Sequence, residues 1–151
     1  MNKPARPTRA DYKVFYPITT RWMDNDIYGH VNNVTYYSYF DTAVNRYLIE
    51  AGVLDIHAGE VIGLVIETHC NYFSPLAFPR NAEAGIRVAH LGKSSVRYEI
   101  GLFEQGEAES AACGHFVHVY VDRVSRRPTV LPEAFVQALQ ALQVRTQCDV
   151  D

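Results

Sequence analysis

NVTYYSYFDTAVNRYLIEAG, residues 33–52, is the stretch that decides the fold. Apolar and aromatic residues recur in it at steps of three and four, at Tyr36, Phe40, Ala43, Tyr47 and Ala51, with Tyr37, Val44 and Leu48 beside them. This spacing is typical of a helix of about 18 residues, roughly 27 Å long, with one wide apolar face. We expect Asn33 to be its N-cap and Gly52 to end it.

The segments on both sides of this helix are typical of β-strands. β-Branched and aromatic residues dominate residues 12–22, 61–73, 83–91, 94–104 and 108–122. Pro17 places the start of the first strand at a sheet edge or a bulge. A short second helix is predicted to open at Leu131-Pro132-Glu133, with an apolar face of Phe135, Ala138, Leu139 and Leu142.

The predicted order is therefore one strand, a long helix, four strands and a short helix. Such a helix and such strands bury their apolar faces most simply as a curved antiparallel sheet wrapped around the long central helix, an α+β fold. Residues 1–10 contain Pro and Arg and are expected to be disordered or frayed. The 151 residues show no repeat or linker, so residues 11–151 are predicted to form a single domain.

Composition and charge narrow the class of protein. The formal net charge is −3, without the basic surplus of a nucleic-acid-binding chain. No secretory signal and no run of about 18 apolar residues is evident, so we expect a cytoplasmic protein without a membrane span. Cys70, Cys113 and Cys148 are far apart, which predicts reduced thiols and neither disulfides nor a zinc site. No metal or other cofactor is expected.

The polar stretch DNDIYGHVNN, Asp24–Asn33, is the candidate for chemistry because it lies between a strand and the start of the long helix. A helix N-terminus offers unpaired N–H groups and a positive dipole end to a developing oxyanion. A carboxylate in the loop can activate water or attack an electrophile. Gly29 permits a tight turn, and His30 adds a donor. A capped turn without function explains the same residues equally well.

A longer motif bears on that choice: Arg21-Trp22-x-Asp24-x-Asp26-x-x-Gly29-His30-Val31-Asn32-Asn33, followed by Tyr36 and Tyr39-Phe40-Asp41. It resembles the signature of hotdog-fold acyl-CoA thioesterases, in the group that includes 4-hydroxybenzoyl-CoA thioesterase. The resemblance extends over nearly the whole chain. It implies a hotdog fold, hydrolysis of an acyl-CoA to a free acid and coenzyme A, and a homodimer or homotetramer with the thioester site at the dimer interface.

The resemblance also implies roles for individual residues. Asp26 takes the position of the catalytic carboxylate, as a nucleophile or as a general base, and Asp24 is expected to hold the loop by hydrogen bonds. His30 is shared with plant acyl-carrier-protein thioesterases, whereas Tyr28 stands where those enzymes have Asn. The remaining predicted substrate-binding residues of this loop and helix start are Gly29, Asn32, Asn33 and Val34. The thioester carbonyl is expected to meet backbone N–H groups near Asn33 and Val34.

Basic residues outside the loop are candidates for contacts with the phosphates of coenzyme A. They are Arg87, Lys93, Arg97, Arg123, Arg126 and Arg127, among which Lys93 and Arg126 are the predicted contacts. A solvated strand edge or loop explains such charges as well. Two other functions compete: an acyl-CoA-binding module without catalysis, and a hotdog hydratase or dehydratase.

Overall fold

The computed structural model describes residues 4–144. It contains two helices and five strands in the predicted order. They are β1 (Val14–Ile18), α1 (Thr35–Glu50), β2 (Val61–Tyr72), β3 (Ala82–Leu91), β4 (Ser95–Glu104), β5 (Ala112–Asp122) and α2 (Glu133–Gln140). Cys148 and the predicted end of the domain at residues 145–151 lie outside the described residues. Neither helix within 4–144 has the length and apolar character that crossing a bilayer requires.

The five strands form one antiparallel sheet in the order β1-β3-β4-β5-β2. The α+β class is therefore confirmed. β2 lies at an edge and pairs with β5 along its whole length, from Val61 opposite Asp122 to Tyr72 opposite Ala112. A bulge between Val65 and Glu67 interrupts this ladder. The bulge adds one residue, Ile66, to β2. As a result, Val65 before it and Thr68 after it face the same side of the sheet.

Two predicted strand boundaries are too wide. β1 spans five residues rather than residues 12–22 because the chain leaves the sheet after Ile18 and forms a 3-10 turn at Trp22–Asp24. β5 begins at Ala112 rather than residue 108. Just before it, the carbonyl of Ala111 accepts the N–H groups of both Phe73 and Ser74, which no regular ladder position does.

Residues 4–10 differ from the frayed start that the sequence predicts. Arg6 donates from Nε to the carbonyl of Ser110 at 2.7 Å, and the N–H of Ser110 donates to the carbonyl of Pro7 at 3.0 Å. Thr8 forms an antiparallel bridge with Glu109. The N-terminal segment therefore pairs with the residues that lead into β5, which the local composition of residues 1–10 does not reveal.

The core lies between the two helices and the inner face of the sheet. α1 buries most of its predicted face, including Tyr36, Phe40 and Ala43. The alternating residues of β4 (Val96, Tyr98, Ile100 and Leu102) are fully buried, and α2 adds Phe135 and Leu139. Packing of one helix face against alternating strand residues buries the apolar surface that drives folding.

The end of α1 is as predicted, and its start is not. Gly52 has φ +73 and donates to the carbonyl of Ile49, while Val53 donates to that of Leu48. This is a Schellman motif, which favours glycine at the left-handed position. At the other end, the Asn33 side chain does not cap the helix. No side chain caps α1, and Asn32 Oδ1 instead accepts the N–H of Val34, at 3.2 Å, in the turn that leads into the helix.

Candidate functional site

A cleft of about 600 Å³ opens where the loop before α1 meets the end of β2. It is lined by Asp26, Tyr28, His30, Val31, Asn32, Asn33, Tyr36, Tyr72, Phe73, Ser74 and Pro75. The loop supplies the polar groups of the cleft, and the aromatic rings supply its walls. The fold thus brings together four residues that the sequence predicts as site residues, namely Asp26, His30, Asn32 and Asn33.

Asp26 is held in a tight turn with part of its carboxylate open. Its N–H donates to the carbonyl of His30 at 2.8 Å, and its carbonyl accepts the N–H of Gly29 at 3.1 Å. One carboxylate oxygen, Oδ1, accepts the N–H of Tyr28 at 2.9 Å. Among residues 4–144 no donor lies on Oδ2. Asp26 therefore has a fixed position and one oxygen available for a water or a substrate.

Asp24 lies in a different environment from Asp26. It is 3% exposed. Its carboxylate accepts hydrogen bonds from the Tyr39 hydroxyl at 2.7 Å, from the Arg21 N–H at 2.9 Å and from the Arg21 guanidinium at 3.2 Å. Burial raises the pKa of Asp24, but these donors outweigh burial and hold the pKa below its usual range. Asp24 thereby ties the loop to α1.

The turn that leads into α1 leaves one backbone donor beside the cleft without an acceptor. The N–H of Val34 is occupied by Asn32 Oδ1, and the N–H of Thr35 donates to the Asn32 carbonyl at 2.9 Å. In the part of the chain that the structure describes, the N–H of Asn33 meets no acceptor. Two backbone donors, at Asn33 and Val34, were expected here. The N–H of Asn33 alone remains available, because the Asn32 side chain already accepts the N–H of Val34.

Tyr72 and Tyr36 form the aromatic wall of the cleft. Their ring centroids are 4.9 Å apart in an edge-to-face arrangement. The Tyr72 hydroxyl donates to the Asn33 carbonyl at 3.0 Å, which fixes the peptide next to the open N–H. Sequence reasoning missed Tyr72, Phe73 and Ser74 because nothing local shows that the end of β2 meets the start of α1.

Gly29 and Val34 adjoin the cleft but do not line it. Gly29 has φ +84, a backbone conformation that side-chain-bearing residues rarely adopt, so the predicted tight turn is confirmed. Gly29 lines a second, neighbouring cavity of about 520 Å³. Exposed apolar side chains of the same loop, Trp22, Met23 and Ile27, line that cavity too.

Lys93 and Arg126 are not brought to the cleft of the same chain. Lys93 lies in the turn between β3 and β4, and Arg126 lies in the turn after β5. Both turns are at the end of the sheet where β2 begins, whereas the cleft lies where the 12-residue β2 ends. A strand of that length spans about 36 Å. Neither side chain therefore contacts the cleft within one chain.

Comparison of this sequence and fold with known proteins shows which family the chain belongs to. The sequence model described as the thioesterase-like superfamily matches residues 20–139. This chain belongs to that superfamily. The family resemblance predicted from the loop motif is thus confirmed. The solved structure of PA5185 from Pseudomonas aeruginosa strain PAO1 is similar to this chain, with 60% identity and a TM-score of 0.92 over 95% of this chain and 100% of PA5185.

Two further proteins are similar at lower identity. A thioesterase from Thermus thermophilus, solved in complex with coenzyme A and zinc, is 32% identical with a TM-score of 0.73 over 90% of this chain and 98% of that chain. Protein YsmA from Bacillus subtilis (strain 168) is 22% identical over 125 residues, which are 83% of this chain and 84% of YsmA.

Other reactive groups near the cleft lack the features of a catalytic site. Burial raises the pKa of the Cys70 thiol to about 12, so this thiol is protonated at neutral pH and is a weak nucleophile. Within residues 4–144, no group of three or more His, Cys, Asp or Glu side chains is placed to hold a metal ion. Asp26 is the carboxylate that lines the cleft.

Proposed function

We propose that this chain is an acyl-CoA thioesterase that hydrolyses the thioester to a free acid and coenzyme A. The observation that carries the proposal is the pairing of the half-open Asp26 carboxylate with the open N–H of Asn33 in one cleft. An anionic group beside a backbone donor at a helix N-terminus is the arrangement that acyl transfer requires. Membership of the thioesterase-like superfamily supports the same reaction.

In the proposed mechanism the thioester carbonyl oxygen accepts the N–H of Asn33. The positive end of the α1 dipole stabilises the negative charge that develops on this oxygen. Asp26 either takes a proton from a water that attacks the carbonyl carbon, or attacks that carbon itself and forms an anhydride that water hydrolyses. The C–S bond breaks in both routes, and coenzyme A leaves as its thiolate. No cofactor is needed, because coenzyme A is part of the substrate.

The proposed functional unit is a homo-oligomer with the hotdog arrangement, in which the sheet curves around α1. The edge strand β2 leaves Leu64, Val65 and Ile66 exposed, and an exposed apolar strand edge favours pairing with a second copy. Lys93 and Arg126 are proposed to contact the phosphates of coenzyme A bound in the cleft of a neighbouring copy. A contact between copies is consistent with the position of Lys93 and Arg126, because both lie at the end of the sheet opposite to the cleft of their own chain.

Replacement of Asp26 by Asn tests the catalytic role. The variant keeps the shape of the side chain and removes its charge, so we expect kcat to fall at least about 100-fold with little change in KM. The measurement is release of free thiol from short, long, branched and aromatic acyl-CoA substrates.

Asp55→Asn is the matched control. Asp55 also accepts two backbone N–H groups, from His57 and Ala58, but lies outside the cleft. It should keep the wild-type rate. Near wild-type turnover by Asp26→Asn on every accepted substrate would show that the assignment is wrong. Binding of acyl-CoA without thiol release by the wild-type protein would instead indicate a binding module.

A further inference from the structure

The neighbouring cavity of about 520 Å³, which we call the Trp22 cavity, meets the cleft at Asp26. Its lining residues are Trp22, Met23, Asn25, Asp26, Ile27 and Gly29. Asp26 is the one residue that lines both this cavity and the cleft. The proposed catalytic carboxylate therefore lies where the two spaces adjoin, and a thioester broken at Asp26 has one space on each side of its carbonyl.

Three large apolar side chains of the Trp22 cavity are open to solvent. Trp22, Met23 and Ile27 are 77%, 74% and 92% exposed, although they lie close together in the same loop. A single exposed apolar side chain is ordinary, but a group of them around one cavity marks a site that an apolar ligand or partner covers. The occupant of this cavity is therefore apolar.

The wall of the cavity is held in place by the rest of the chain. Trp22 begins a 3-10 turn, and its ring packs edge-to-face on Phe78 with the ring centroids 6.1 Å apart. Asn25 Oδ1 accepts the N–H of Phe78 at 3.0 Å, and Asp24 is bound to α1 through the Tyr39 hydroxyl. A ligand that enters meets a largely preformed surface, which reduces the entropy lost on binding.

The two arms of an acyl-CoA differ in polarity, and so do the two spaces. The cleft carries hydrogen-bonding side chains such as Asn32 and Ser74, which suit the amide groups of the pantetheine arm of coenzyme A. In the Trp22 cavity the polar side chains are Asn25, whose oxygen is already occupied, and Asp26 itself. An apolar acyl group therefore fits the Trp22 cavity better than the pantetheine arm does.

We propose that the Trp22 cavity binds the acyl group and selects apolar acyl chains over acetyl and over chains that end in a charge. This inference rests on the proposed thioesterase function. With the thioester carbonyl between Asp26 and the Asn33 N–H, the acyl arm extends into the Trp22 cavity and the pantetheine arm lies in the cleft. Each methylene that is buried there favours binding about fourfold. A terminal carboxylate would lie among apolar side chains without a partner.

Three matched substrates test the selection: acetyl-CoA, hexanoyl-CoA and adipoyl-CoA, which has six carbons and ends in a carboxylate. We expect the wild-type kcat/KM to be at least about tenfold higher for hexanoyl-CoA than for acetyl-CoA, and about tenfold lower for adipoyl-CoA than for hexanoyl-CoA. The double variant Met23→Gln, Ile27→Gln keeps long side chains in the cavity but makes them polar. It should reduce the ratio of hexanoyl-CoA to acetyl-CoA to less than about threefold.

Ile49→Gln is the control for the double variant. Ile49 is also an exposed apolar side chain, but it lies on α1 about 21 Å beyond the residue where the helix begins. It should keep the wild-type ratio. An equal kcat/KM for hexanoyl-CoA and acetyl-CoA would overturn the proposal, as would a preference that survives in the double variant.

The fluorescence of Trp22 reports on the cavity without any turnover, because Trp22 is the only tryptophan in the sequence. Asp26→Asn should bind hexanoyl-CoA without hydrolysing it. We expect its emission to shift to the blue with hexanoyl-CoA and to stay unchanged with coenzyme A alone, because only the acyl group removes water from the ring. If the wild-type protein releases no thiol, the thioesterase function fails, and the same titration on the wild type still tests the cavity.

Two results of the titration would overturn the acyl site. One is no shift with hexanoyl-CoA, or the same shift with coenzyme A alone. The other is an emission that is already blue before any ligand is added and moves to the red when the protein is diluted. That result would mean that a second copy of the chain covers Trp22.

Discussion

Asp24 and Asp26 show how two carboxylates separated by one residue acquire different roles. Asp24 is buried and accepts three hydrogen bonds, whereas Asp26 faces the cleft with one oxygen open. The spacing Asp24-x-Asp26 in the sequence does not show which of the two carboxylates is buried. The partner that decides it, Tyr39, lies 15 residues away on α1. The resemblance assigns the catalytic role to Asp26, and the geometry supports that proposal.

His118 makes stability depend on pH. Burial lowers its pKa to about 4, from about 6.5 in the unfolded chain. The unfolded chain binds a proton first as the pH falls, so the stability that the neutral ring contributes is complete above pH 6.5 and is lost between pH 6.5 and 4. We expect the free energy of unfolding to fall by about 3 kcal/mol across this window. Urea denaturation at a series of pH values measures it.

The variant His118→Leu should lose most of this pH dependence, and His115→Leu should keep it. His115 is a suitable comparison because it lies on the same strand and pairs with Glu67 at 2.9 Å rather than in the core. A wild-type free energy of unfolding that stays flat between pH 6.5 and 4 would contradict the account of a buried neutral ring.

At the scale of elements, the two ends of α1 show how accurately sequence patterns predict where a helix begins and ends. Its apolar spacing and its end at Gly52 are predicted correctly. Its predicted cap is Asn33, whereas the helix begins at Thr35 without a side-chain cap. Asn32 instead holds the entering turn, because its side chain accepts the N–H of Val34 and its carbonyl accepts that of Thr35. Two adjacent asparagines are equally good caps by residue type. Only the direction of the entering backbone distinguishes them.

Substitution of each asparagine by Ala separates the two roles. Asn32→Ala removes the acceptor of the Val34 N–H and should lower the free energy of unfolding by about 1 kcal/mol. Asn33→Ala leaves this hydrogen bond in place and should change stability by less than about 0.5 kcal/mol. Chemical denaturation of the two variants under the same conditions gives both values. The reverse ranking would show that the Asn33 side chain stabilises the start of the helix more than Asn32 does.

At the scale of the whole molecule, the edge strand β2 leaves apolar side chains without a covering neighbour in one chain. Ile66 at the bulge is 64% exposed. We expect the wild-type protein to sediment at two or four times the 17.1 kDa of one chain. A charge at this edge, Ile66→Lys, should shift the protein toward the monomer and lower thioesterase activity.

Ile49→Lys is the control for that experiment, because Ile49 is also an exposed apolar side chain, at 47%, but lies on α1 rather than on β2. It should leave the sedimentation unchanged. A wild-type protein that sediments as a single chain, or an Ile66→Lys variant that sediments like the wild type, would contradict an interface at β2. Sedimentation velocity over a range of concentrations distinguishes these results.

Local patterns are enough to predict the order of the elements, the α+β class and the polar loop, because periodicity and turn residues depend on neighbours a few positions apart. Local patterns do not reveal that Tyr72 lines the cleft. They also suggest Lys93 and Arg126 as substrate contacts, although these two side chains do not reach the cleft of their own chain. Those features depend on which end of β2 meets which end of α1, and side chains that are far apart in the sequence come together only when the sheet closes on the helix.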